Sequence, residues 1–189
     1  METIVSPGSP AALLLDAKTG AAVNIPVEHK ELHDGDFFCT HHQATGKNDG
    51  DTISIVFKTP NTTKRIHVFA KAFASGQAYF YIKEGSTFTD NTGSAHTVFN
   101  RERNSATVTT VIDAVANPAV AAQVRTDPTG MAGGTEIYRE LMGGTSPKTT
   151  GEVRYENEWV LDQNTLYAFI VESDAAGEAL NLVLNWYEL

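Results

Sequence analysis

The chain has 189 residues, an apolar fraction of 41% and a formal net charge of −9. This length suits one domain with a sizeable core, and the composition is typical of neither a disordered nor a membrane-embedded protein. After Ala95, six Lys and Arg stand against thirteen Asp and Glu, compared with eight against ten before it. Because this acidic surplus repels phosphate backbones, we expect no nucleic-acid partner.

The first twenty residues, "METIVSPGSPAALLLDAKTG", contain two prolines and no sustained hydrophobic period. They predict an N-terminal arm over residues 1–20 that orders only against a partner, followed by a single domain over residues 21–189. The apolar run "AALLL" is too short to span a bilayer, and we identify no signal peptide, so we expect no membrane partner. The single cysteine fits a protein made in a reducing cytoplasm.

Short apolar–polar alternations separated by turn residues begin at Ala22 and predict β-strands. Each of three strands places one set of side chains on an inward face: Ile53, Ile55 and Phe57; Tyr167, Phe169 and Val171; and Leu180, Leu182, Leu184 and Trp186. In the last strand, Asn181, Asn185 and Tyr187 are expected on the opposite face.

The segment "VIDAVANPAVAAQV" interrupts this pattern, and its Ala-rich part is residues 115–123. Asn117 is a suitable N-cap and Pro118 a suitable first helical residue, so a short helix is expected there, inserted in a loop. Together the segments predict an all-β fold, an antiparallel β-sandwich or jelly roll with a flexible N-terminal arm and a short helical insertion.

The stretch "VEHKELHDGDFFCTHHQ" holds four of the six histidines and the only cysteine. If it is extended, His29 and His33 lie about 13 Å apart and cannot share one metal ion. If residues 26–33 form a helix that starts at Pro26 and ends at Gly35, the same two histidines lie one turn apart and form a weak two-ligand site. Either way we favour structural or solvent-facing histidines, with no metal or cofactor.

Catalysis by this stretch is also disfavoured. In an extended strand, Cys39 and His41 share a face about 7 Å apart, whereas His42 points the other way. Cys39 follows two phenylalanines, which predicts a buried, unreactive thiol. No nucleophile elbow, zinc-protease helix or phosphate loop occurs in the sequence, so we expect no catalytic residues and a protein that is not an enzyme.

Two other motifs have competing interpretations. The Asp-Gly-Asp segments "HDGDF" and "KNDGDT" predict turns, because neither continues into a calcium loop with its closing glutamate. The segment "NRERNS" is either a solvated loop with an internal ion pair or an interface, since arginine makes multi-donor contacts with carboxylates and carbonyls. The candidate capsid or subunit interface residues are Asn100, Arg101, Arg103 and Asn104. Trp159 and Trp186 could stack on a sugar ring, but core packing is favoured for Trp186.

Several phrases together resemble a family of tailed-bacteriophage virion structural proteins: "TGAAVNIPVEHKELHDGDFF", "TPNTTKRIHVF", "NRERNS", "VRTDPTG", "NEWVLDQNTLYAFIV" and "LNLVLNWYEL". The resemblance covers residues 16–189, apart from the Ala-rich segment. It implies a β-sandwich head decoration (cement) protein that binds the major capsid protein on the surface of the head in the virion, as a homotrimer. The alternative is a tail- or fibre-associated virion module that binds a host receptor. The resemblance supplies no catalytic residues.

Overall fold

The computed structural model describes residues 3–5, 12–14, 26–111, 124–143, 151–154 and 158–189. In chain order the elements are β1 (Thr3–Val5), β2 (Ala12–Leu14), α1 (Val27–Asp34), β3 (Phe37–Lys47), β4 (Thr52–Lys58), β5 (Ile66–Ala74), β6 (Ala78–Thr87), β7 (Ser94–His96), β8 (Phe99–Asn100), β9 (Val124–Thr126), β10 (Ala132–Met142), β11 (Gly151–Arg154), β12 (Trp159–Val160), β13 (Leu166–Ser173) and β14 (Glu178–Glu188). The helix expected at residues 115–123 lies outside the described residues, as does most of the predicted arm, in which β1 pairs antiparallel with β2.

Two antiparallel sheets pack face to face. Sheet I has the order β10-β6-β13-β4-β9-β7, and sheet II has the order β11-β5-β14-β3-β8, with β12 paired to β5. Eight of these strands can be numbered one to eight along the chain: β3, β4, β5, β6, β10, β11, β13 and β14. With this numbering the strand order is 6-3-8-1 in sheet II and 5-4-7-2 in sheet I. This alternation of strands between two four-stranded layers is the jelly roll, so the predicted fold class is confirmed.

The predicted inward faces of β4, β13 and β14 meet between the two sheets and form the main hydrophobic core. Trp186 is fully buried, and its ring stacks on that of Phe57 in the opposite sheet with centroids 6.1 Å apart, so its expected core role is confirmed. Phe169 continues the stack at 5.7 Å from Phe57. Tyr187 lies on the other face as expected, but it too is buried, because α1 packs over that face of sheet II.

The extended interpretation of residues 26–33 is wrong, and the helical alternative is confirmed. Helix α1 begins after Pro26, whose fixed φ suits a helix start, and ends at Gly35 in the left-handed conformation with φ of 82°. The Gly35 and Asp36 N–H groups bond back to carbonyl groups of the last turn, as in a glycine-capped helix end. These end signals determine the local structure, whereas the alternation of Val23, Ile25 and Val27 with polar residues, which suggests a strand, does not; Val27 is half exposed.

The carboxylate of Glu188 fixes residues 109–111 against the last strand. This side chain is 2% exposed and accepts hydrogen bonds from the Thr109 hydroxyl, from the Thr110 N–H (2.9 Å) and hydroxyl (2.6 Å), and from the Trp186 indole N–H (3.4 Å). A buried charge is tolerated only when hydrogen bonds replace its lost hydration, and four donors do so here. Glu188 thus joins an irregular segment to the edge of the core.

The two Asp-Gly-Asp segments form turns, as expected. In the second, Asp51 N–H bonds to the Asn48 carbonyl at 2.9 Å, Asn48 N–H bonds to the Asp51 carboxylate at 2.8 Å, and Gly50 has a φ of 78°. The first contains the end of α1, where Asp36 lies 3.4 Å from the Lys64 amine. Of the helices in the described ranges, none has the length and apolar character needed to cross a membrane.

Candidate functional site

A groove of about 510 Å³ opens on the outer face of sheet II, beside α1. Its lining combines helix residues, outward-facing strand residues and one arginine: Pro26, Glu28, His29, Leu32, Phe37, Phe69, Arg101 and Asn185. Strand alternation explains its floor, because Phe37 and Phe69 occupy outward positions between the inward-facing residues of β3 and β5. The groove therefore exposes the Arg101 guanidinium together with parts of Phe69 and Asn185, whereas the Phe37 ring beneath Arg101 is buried.

Arg101 forms one wall of the groove. Its guanidinium lies 4.5 Å from the centre of the Phe37 ring, and the backbone N–H of Arg101 donates to the Phe37 carbonyl at 2.8 Å. Across the described ranges its guanidinium has no carboxylate within ion-pair distance, so the internal ion pair considered for "NRERNS" does not form there. The side chain is exposed. Arg101 is thus positioned on an aromatic ring, and its guanidinium is open to solvent.

The other candidate interface residues divide into structural and exposed ones. Asn100 donates to the Gly35 carbonyl at 2.6 Å and to the Thr107 carbonyl at 3.0 Å, so its amide connects α1 to the following loop. Arg103 is exposed, lies 5.7 Å from the Phe99 ring and donates to the Asn100 carbonyl at 3.3 Å. Asn104 is exposed, and its backbone N–H donates to the Glu102 carboxylate at 3.0 Å. Only Arg101 lines the groove.

Cys39 lies on the outer face of β3 and is half-buried, so it is less enclosed than expected. Burial raises the pKa of its thiol, and the nearby Arg101 and Arg103 charges offset that rise only in part. A raised pKa keeps the sulfur protonated at neutral pH, and the thiolate is the nucleophilic form. The expectation of an unreactive thiol therefore has a physical basis, although its burial is incomplete.

Three histidines and an aspartate meet where β3 crosses the edge of sheet I. The ring of His96 lies 6.1 Å from that of His41 and 5.9 Å from that of His42, and His42 Nε2 lies 2.6 Å from Asp127 Oδ2. As expected, His41 and His42 face opposite ways on an extended strand, one exposed and one turned toward the other sheet. Burial chiefly lowers the pKa of His96; a hydrogen bond with the His41 backbone offsets part of this effect, and the charges of His42 and His41 lower the pKa further.

Asp127 accepts the His42 bond and also the Ser54 N–H at 2.7 Å. Burial acts to raise the pKa of its carboxyl, but these two hydrogen bonds hold it below its usual range. Within the described ranges, no three His, Cys, Asp or Glu side chains form a group that could hold a metal ion. The cluster is a polar connection between the two sheets.

A second carboxylate–histidine contact lies beside α1. Glu158 accepts a hydrogen bond from the Tyr187 hydroxyl at 2.5 Å and contacts His67 Nδ1, and the rings of His67 and Tyr187 stack with centroids 4.7 Å apart. Burial chiefly raises the pKa of the Tyr187 phenol, and the hydrogen bond to Glu158 adds to that rise. The phenol therefore remains protonated and acts as a hydrogen-bond donor.

Trp159 lies in a smaller surface pocket of about 260 Å³, which also contains Arg65, Glu84 and Asp162. Its ring is half-buried, packs against the main core and meets the Tyr138 ring edge-on at 6.2 Å. Structural packing therefore accounts for much of the Trp159 surface, with one side adjoining polar groups.

Comparison with protein-family models, with curated proteins and with solved structures returned no match.

The sequence singles out Arg101, which lines the groove, but it gives no sign of the groove itself. Phe69 could have been noticed, because an aromatic residue at an outward position of an otherwise buried strand indicates a covered or binding face. Asp127 and Glu158 lie 85 and 91 residues from their histidine partners, so no local pattern could connect them.

Proposed function

We propose that this chain is a bacteriophage capsid decoration (cement) protein that binds the major capsid protein on the outer surface of the head as a homotrimer. The observation that carries the proposal is a jelly roll whose interior is filled by side chains of both sheets. The jelly roll is used by viral capsid domains, lectins and cupins. Since the space between the sheets is occupied by rings such as Phe57 and Trp186, its function lies on the surface.

The groove beside α1 supplies the docking chemistry for this proposal. The half-buried Phe69 ring in its floor would contact an apolar side chain of the capsid protein, and the exposed Arg101 guanidinium would pair with a neighbouring carboxylate. Arginine and aromatic residues are enriched among the residues that dominate binding energy at interfaces. Three such contacts per trimer would reinforce one another, so a weak single contact suffices for firm attachment.

The proposal is tested by co-sedimentation of purified protein with heads assembled without it. We expect Arg101→Ala to weaken binding about tenfold or more, as expected for an interface arginine. The matched control is Arg139→Ala on the outer face of sheet I, where the guanidinium is already paired with Glu136 at 2.8 Å. Unchanged binding by the Arg101 variant, or equal loss in both variants, would remove the groove from the proposal.

A second candidate function, host-receptor binding, is favoured by the pocket beside Trp159. An indole ring next to the Arg65 guanidinium and the Glu84 and Asp162 carboxylates is a combination that can stack on a pyranose ring and bond its hydroxyl groups. A glycan-binding screen with the native chain and a Trp159→Leu variant tests this function. Saccharide binding lost in the variant would support it, and no binding by the native chain would reject it.

A further inference from the structure

Helix α1 holds two histidine side chains together on its exposed surface. His29 and His33 are one turn apart, their Nε2 atoms lie 3.0 Å apart and their ring centroids 4.6 Å apart. Both residues are exposed, and within the described part of the chain neither ring has another hydrogen-bond partner. In this hydrogen bond one Nε2 atom carries the hydrogen and the other accepts it, so a metal ion bound by both rings would replace the bond; the two rings are otherwise open to solvent.

The separation of the two nitrogens matches that of neighbouring ligands on one metal ion. With metal–nitrogen bonds of about 2.0–2.1 Å, two ligands at 90° lie about 2.9 Å apart, whereas two ligands at a tetrahedral angle lie about 3.3 Å apart. The hydrogen bond at 3.0 Å shows that α1 lets the two Nε2 atoms approach to nearly the right-angled separation. Right-angled ligands belong to octahedral and tetragonal centres, the geometries of Ni²⁺ and Cu²⁺.

The helix keeps this pair in position. Its C-terminal end is closed by Gly35, its Lys30 and Asp34 side chains pair at 2.6 Å one turn apart, and the helix packs on β3 and β14. Because the backbone is already ordered, a metal ion bound by both rings orders little more than the two side chains. Once one ring holds the metal ion, the bond to the second ring forms within the same molecule and strengthens binding. A single histidine lacks this second bond.

We propose that His29 and His33 form a two-imidazole site for a divalent transition-metal ion of the Ni²⁺ and Cu²⁺ class. The remaining coordination positions face solvent and take water. His29 also lines the groove, so a metal ion bound here lies at the edge of that groove. The site depends only on α1 and stands whether or not the chain decorates a capsid.

The test is isothermal titration calorimetry of the full chain, without an affinity tag, with NiCl₂ at neutral pH. We expect one site that weakens at least about tenfold in His33→Ala. Affinity should also fall on acidification, because the imidazoles must be neutral to bind. Cu²⁺ should bind more tightly than Ni²⁺, in the usual order of divalent metals.

Two matched variants separate this site from nonspecific histidine binding. The double variant His33→Ala with Asp34→His keeps the number of histidines but moves one off the shared face, so it should bind as weakly as His33→Ala. His41→Ala removes an exposed histidine of β3 and should leave Ni²⁺ affinity unchanged. The proposal is overturned if the native chain binds no Ni²⁺ at millimolar concentration. It is also overturned if the moved histidine restores binding or if His41→Ala weakens it as much as His33→Ala.

Discussion

Replacement of Glu188 by glutamine tests how the irregular segment at residues 109–111 is held to the core. The native carboxylate accepts bonds from two threonine hydroxyls, the Thr110 N–H and the Trp186 indole, at 2% exposure. Glutamine keeps the size of the side chain but replaces one acceptor oxygen with an NH₂ group. That group would face donors that need an acceptor.

The magnitude follows from the number of bonds affected. Hydrogen bonds to charged groups contribute about 1.5–3 kcal/mol each, and a buried donor left without an acceptor costs about 1–3 kcal/mol. The amide oxygen of glutamine can still accept part of this set. We therefore expect Glu188→Gln to lower the free energy of unfolding by about 2–4 kcal/mol.

The assay is urea unfolding followed by tryptophan fluorescence, with the midpoint compared at an unchanged slope. The control is Glu172→Gln, because Glu172 accepts one hydrogen bond, from the Tyr81 hydroxyl at 2.9 Å, which a glutamine oxygen can also accept. We expect the control to change stability by less than about 1 kcal/mol. Equal midpoint shifts in the two variants would refute the assignment of Glu188 as the main attachment of this segment.

Three further predictions concern pH, a backbone constraint and the arm. In the folded protein the pKa of His96 is held below its ordinary 6.5, so the unfolded chain takes up this proton first as the pH falls and the free energy of unfolding decreases below pH 6.5. Between pH 7 and 5 this decrease should be smaller in His96→Gln than in the native protein, and equal decreases would contradict the prediction. Gly134→Ala should lower the free energy of unfolding, measured by chemical denaturation, by about 1–3 kcal/mol more than Gly133→Ala. Both glycines have positive φ, but only at Gly134 would the new Cβ lie 2.9 Å from backbone atoms of β6. Similar losses in the two variants would refute the clash. Deletion of residues 1–20 should leave the unfolding midpoint unchanged and weaken co-sedimentation with heads, whereas unchanged head binding would remove the arm from the account.

The strands were predictable because their pattern is local. In β14 every second residue from Leu180 to Trp186 is apolar, and a strand with one face in a core requires that alternation. Helix α1 is harder to predict, because its eight residues carry a weak periodic signal and its end signals at Pro26 and Gly35 compete with the alternation of Val23, Ile25 and Val27 with polar residues. Strand order was beyond the sequence, since β14 lies between β3 and β5 through pairings that cross most of the chain.

The candidate site was only partly predictable for a related reason. The density of charge in "NRERNS" identified Arg101, but the groove also needs Phe69 and Asn185, which the fold brings from two other strands. Asn100 is polar like its neighbours, but its side-chain amide donates hydrogen bonds to the backbone carbonyl groups of Gly35 and Thr107. Composition does not distinguish a polar side chain that bonds its own backbone from one directed to a partner.

The most direct test of the proposed function is a cryo-electron-microscopy reconstruction of the virion that carries this chain. We predict jelly-roll density repeated over the whole head as trimers, with the groove and Arg101 facing the major capsid protein. Density confined to the tail or to a unique vertex would contradict the decoration role and favour the receptor-binding alternative. Absence of the chain from the particle would contradict both.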